Sequence, residues 1–128
     1  MSELQKTKSI KIKGDVFVLD ISKFTVSNFI TLESEKQRIS KSNYYQMATT
    51  WFSNTMMAAN LVDMIATFRV LLPELEKSLN ESYEKLNLID VKDLLKIYLK
   101  EVSPWYQKWM EEFNAPFEES ESDVDAEK

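Results

Sequence analysis

The stretch YYQMATTWFSNTMMAANLVDMIATFRVLLPEL, residues 44–75, decides how the rest of the chain must be built. It holds four of the six methionines. From Met57 onward, Leu61, Met64 or Ile65, Phe68 and Leu71 or Leu72 keep the three-and-four spacing of a helix, with Asp63, Thr67 and Arg69 between them. The spacing predicts two helical stretches, ending near Pro73. That residue donates no amide hydrogen and pushes its neighbour out of helical geometry unless it begins a new turn. An amphipathic helix carries one apolar stripe about 100° wide. Met47, Met56 and Met57, with Tyr44, Tyr45, Trp51 and Phe52 beside them, exceed what one stripe can bury. The prediction is therefore divided: Leu61, Ile65, Phe68 and Leu72 face the core, while Met47, Trp51, Met56 and Met57 lie at least partly on the surface. Unbranched thioethers fill irregular gaps in cores, and they also repack against partners of varied shape, so the methionines fit either use.

Outward from this segment, SIKIKGDVFVLDIS at residues 9–22 alternates at Ile10 and Ile12, then at Val16 and Val18, around Gly14-Asp15. That pattern predicts a hairpin over about 8–21, with a type II′ turn and glycine at its first central position. Phe17 and Leu19 make the second strand apolar on both faces. Phe24, Phe29, Ile30 and Leu32 then change to helical spacing, giving a helix over about 26–39 capped by Thr25 or Ser27. SKSNYYQ reads as a polar loop, and residues 74–90 as a short helix with a connecting loop. Asp90 is expected to cap VKDLLKIYLKEV, with Val91, Leu94, Leu95, Tyr98 and Val102 as its apolar face. Ser103-Pro104 is expected to start a last helix, placing Trp105, Trp109 and Phe113 along one side. The fold class is α+β, mainly α-helical: an N-terminal hairpin on a bundle of about four to five helices within residues 1–117. The acidic tail 118–128 has too little apolar surface to offset ordering entropy and is expected to be disordered.

Composition narrows the function. The net charge of −5 lies entirely in the tail, where six acids face one lysine, so residues 1–117 sum to zero and no strong basic patch for nucleic acid is expected. A single glycine excludes glycine-rich phosphate loops, and the absence of histidine and cysteine removes the commonest general base, thiol nucleophile and zinc ligands. Adjacent acids such as Glu111–Glu112, or the pair Asp90 and Asp93, lack a third ligand at helical spacing. The expectation is a protein with no catalytic, cofactor or metal site, no membrane partner and a cytoplasmic location. Its candidate protein-binding residues are Met47, Trp51, Met56, Met57, Trp105 and Trp109, the tryptophans because they offer large contact area with little rotamer entropy to lose.

The order of parts is IKIKGDVFVLDI as a hairpin, a polar helix, a hydrophobic central helix, then LIDVKDLLKIYLKEVSPWYQKWMEEF and an acidic end. It resembles the small tail assembly chaperones of long-tailed bacteriophages over about residues 8–115. The resemblance implies a helical protein that coats the hydrophobic helices of the tape measure protein in the host cytoplasm until tail-tube subunits displace it. It carries across no functional residue. A virion structural or connector protein, an acidic mimic of nucleic acid acting as an inhibitor, and an enzyme of unrecognised type are the competing expectations, and a second copy of the chain is a further expected partner.

Overall fold

A computed structural model describes the backbone of residues 4–127 and the side chains of residues 4–116. Strands β1 (Thr7–Ile12) and β2 (Asp15–Asp20) pair antiparallel, with Ile10 opposite Phe17 and Ile12 opposite Asp15. The turn therefore centres on Lys13-Gly14, one residue earlier than expected. Both residues have positive φ, 51° and 87°. This is the type I′ pattern with glycine second, whose twist continues that of the strands; the type II′ expectation is corrected. Ile10, Ile12 and Leu19 are buried with Phe17 half-buried beside them, whereas Val16 and Val18 face outward.

Helix α1 (Val26–Ile39) opens with a reciprocal cap. The Asn28 amide donates to Thr25 Oγ1 at 3.0 Å and the Thr25 amide to Asn28 Oδ1 at 3.1 Å, so two amides at the open end are satisfied. Lys41 and Ser42, both at positive φ, reverse the chain into α2 (Tyr44–Thr49), and residues 50–52 separate it from the central helix α3 (Ser53–Leu71). The second half of α3 is buried without a break from Met64 to Phe68, because α1, α2, α4 and α5 all pack on it. Pro73 starts α4 (Pro73–Leu79), turned 106° from α3, and Asn80 closes it in the left-handed conformation. Among the described residues no single helix is long and apolar enough to cross a membrane.

Helix α5 (Leu88–Ile97) begins earlier than the sequence suggests. Its cap is Asn87, whose Oδ1 accepts from the Ile89 amide at 2.9 Å, and Asp90 lies in the first turn. The expected break at Ser103-Pro104 is also absent. A π turn at Tyr98–Val102 carries α5 directly into α6 (Ser103–Glu127). Proline lacks an amide hydrogen, and its ring strikes the carbonyl four residues back in a regular helix; a wider turn relieves that clash. Burial of Tyr98, Val102, Trp105 and Tyr106 on one side of the continuous rod supplies the reason to continue. Residues 118–127 of the tail expected to be disordered are described as backbone only, at the end of α6, and their side chains lie outside the described residues.

One core joins hairpin and helices, with Leu19, Leu32, Met64, Phe68, Leu72, Leu75 and Val102 fully enclosed. Two polar clusters tie its periphery. Arg69 of α3 donates to Glu35 of α1 at 3.0 Å, Glu76 of α4 at 2.6 Å and Glu84 at 2.6 Å, and it lies over the Tyr83 ring. Hydrogen bonding from Arg69 holds the Glu84 carboxyl down at about 2 and also lowers Glu76. Glu35 is lowered chiefly by Arg38, which donates to it at 2.6 Å. In the second cluster Lys36 pairs with Glu33 at 3.0 Å and Asp63 at 3.3 Å, and the Tyr44 hydroxyl donates to Asp63 at 2.6 Å. Asp63 and Arg69, read from the sequence as interruptions of an apolar stripe, are thus bonded to neighbouring helices.

Candidate protein-binding surface

Helix α5 carries two apolar stripes. Val91, Leu94 and Tyr98 turn into the core. Leu88, Leu95 and Leu99, at intervals of seven and four, turn toward the N-terminal half of α3, and Ile89 stands beside Leu88. Between the two helices lies an open groove of about 680 Å³ whose wall is almost wholly apolar. Leu61, Val91 and Leu95 form its better-buried part, while Met57, Leu88, Ile89 and Leu99 stand exposed around it. Leu88 and Ile89 are 61% and 77% accessible. Two adjacent aliphatic side chains so open to water are costly unless something covers them for part of the time.

Contacts between α3 and α5 are few beside those that α3 makes with α1 and α2. The inner stripe of α5 is buried in the core and Leu95 packs partly against it, which leaves an open cleft where Met57 and Leu61 meet Leu88, Ile89 and Leu99.

The residues expected to bind protein fall into three places. Met57 lines the groove. Trp51 and Met56 lie at the start of α3: Trp51, 84% accessible, stacks on exposed Phe52 with ring centroids 5.3 Å apart, and Met56 follows within the first turn. Met47 is half-buried on α2. Trp105 and Trp109 sit elsewhere. Both indole N–H groups donate to the Gln5 carbonyl, at 2.7 and 2.9 Å, so the two tryptophans clamp the strand entering β1 onto α6. Trp105 is only 9% accessible and leaves little surface for a partner. Leu88, Ile89 and Leu99 fall outside the sequence reading, because it starts α5 after Asp90 and takes Leu95 into a single apolar face with Val91 and Leu94. The seven-and-four spacing of Leu88, Leu95 and Leu99 was the available signal.

Among the described residues no group of three acidic side chains is placed to hold a metal ion. A smaller apolar cleft of about 320 Å³ lies between Phe24, Val26 and Phe29 on one side and Met110 and Phe113 on the other. No protein-family model, curated protein or solved structure matches the chain.

Proposed function

We propose that this chain is a non-catalytic protein-binding module that holds a hydrophobic helical segment of another protein in the groove between α3 and α5. The observation that carries the reading is the groove itself, about 680 Å³ and apolar, with Met57, Leu88, Ile89 and Leu99 exposed beside it. An open apolar cleft between two helices suits helix-in-groove recognition, in which one apolar face of a partner helix covers the cleft. Thioether and leucine side chains on the receiving surface tolerate clients of different shape. Trp51 and Phe52, stacked and exposed just before the helix that carries Met57, add a further exposed apolar patch. Under the resemblance to phage tail assembly chaperones, the client is the tape measure protein, held in the host cytoplasm until tail-tube subunits displace the holder.

The experiment is a holdase assay with a synthetic helical peptide bearing leucines at i, i+3, i+4 and i+7. The full chain is expected to suppress the peptide's aggregation near one-to-one stoichiometry. Ile89→Ser and Leu99→Ser, on exposed groove positions, are expected to lose that activity with unchanged circular dichroism. A wild-type chain that neither captures the peptide nor slows its aggregation overturns the reading.

A further inference from the structure

Along the groove, Lys92 and Lys96 on α5 and Lys100 in the π turn that follows it recur every four residues. Among the described residues none of the three has a carboxylate within ion-pair distance. The other charges facing this ridge are few. Glu101 is taken by Lys8 of β1 at 3.1 Å, and Lys11 of β1 joins Lys96 and Lys100 around a second cleft behind the ridge. Asp90 and Asp93 are the remaining acids on α5, both exposed. A zero-charge body thus presents a row of cations beside an apolar trough.

We propose that the groove selects an amphipathic helix that carries carboxylates four residues apart along the flank meeting Lys92, Lys96 and Lys100. This rests on the protein-capture reading and adds the charge of the client to it. Lys92 and Lys96 stand about 6 Å apart along α5 and Lys100 follows in the π turn, so acids at i and i+4 of a helix laid alongside come into register with the first two and one a further turn on reaches the third. Charge decides against the other occupants. A second copy laid α5 against α5 brings two lysine rows to one interface with only Asp90 and Asp93 to offset them. The chain's own segment 118–128 has six acids but only Val124 as an apolar side chain larger than alanine, so it cannot cover the trough. An anionic bilayer calls for a flat or convex apolar face, and these leucines line a concavity.

The test uses two synthetic peptides of about 18 residues with the same leucine stripe, one with glutamate at three flank positions four apart and one with lysine there. Binding to the full chain is read by fluorescence anisotropy at low salt and at about 0.5 M salt. The glutamate peptide is expected to bind about tenfold tighter at low salt, with most of the advantage lost at high salt. The triple variant K92Q/K96Q/K100Q is expected to bind both peptides alike. Equal binding of the two peptides by the wild type overturns this inference and leaves protein capture standing; binding of neither overturns both. Two further results also overturn it: phosphatidylserine vesicles that bind the chain and are not displaced by the glutamate peptide, or a dimer that excludes the peptide. The wild-type comparison needs no variant to fold.

Discussion

Replacing Arg69 with methionine is expected to unbalance the cluster that ties α1, α3 and α4 together, and to do so in a pH-dependent way. The guanidinium is the shared donor to Glu35, Glu76 and Glu84, at 3.0, 2.6 and 2.6 Å. Without it the side-chain partners left to the three carboxylates, among the described residues, come down to Arg38, with the Tyr83 amide on Glu76. An exposed pair contributes up to about 1 kcal/mol, and breaking a fully buried one costs about 3–5 kcal/mol. These groups are partly buried, so solvent screening puts the loss at about 2–3 kcal/mol at neutral pH. For a domain of this size that lowers Tm by about 10 °C. The sign with pH follows from the direction of the shifts. Glu84, held at about 2 against an ordinary 4.5, and Glu35 and Glu76, also lowered, stabilise the fold above their unfolded values. That contribution fades as pH falls from about 4.5 toward 2. Urea titrations followed by tryptophan fluorescence at neutral pH and at points across that window should show wild type and R69M converging in acid. A gap that stays constant with pH would refute the electrostatic reasoning, and would instead assign the loss to packing of the guanidinium on Tyr83.

Other substitutions separate backbone, core and surface. Gly14→Val should destabilise the fold by about 1 kcal/mol or more, and by more than Asp15→Ala, because Gly14 holds φ at 87°; equal unfolding midpoints would contradict the type I′ turn. Phe68→Ala should cost about 3–5 kcal/mol in chemical denaturation, since the ring is fully enclosed and edge-on to Tyr98, whereas half-buried Leu61→Ala should cost less. Ser42→Gly should raise stability by a few tenths to about 1 kcal/mol by relieving a left-handed residue at φ 67°, and a loss would show that the serine side chain is needed there. Trp51→Ala should leave the melting temperature within about 2 °C of wild type while weakening peptide capture, as the indole touches little but Phe52.

Periodicity made much of the fold legible. The apolar spacing of residues 24–32 located α1 over Val26–Ile39, and that of residues 57–72 placed Ile65, Phe68 and Leu72 in the core. Leu61, expected there as well, is half-buried because it lines the groove. What local rules could not rank were competing signals of equal strength. Asn87 and Asp90 are both good caps, and the hydrogen bond that Asn87 Oδ1 accepts from the Ile89 amide marks the earlier start. Ser103-Pro104 reads as a helix start, yet a π turn lets the chain run on because Val102, Trp105 and Tyr106 all find the same core. The hairpin turn was placed one residue late because Gly-Asp fits one tight turn as well as Lys-Gly fits another. The tryptophans illustrate a different limit. An indole N–H needs an acceptor, and the one that serves both is a carbonyl a hundred residues away, which no window of sequence contains. The groove is non-local in the same sense, joining Met57 and Leu61 to residues 88–100.

Methyl-resolved NMR of the full chain, labelled at methionine and leucine and titrated with the leucine-striped glutamate peptide, tests the central claim most directly. Capture between α3 and α5 predicts shifts concentrated at Met57, Leu61, Leu88, Leu95 and Leu99, with Leu19, Leu32 and Leu75 in the core unmoved. Shifts confined to Met110, beside the smaller cleft, or no shifts at saturating peptide, would contradict it.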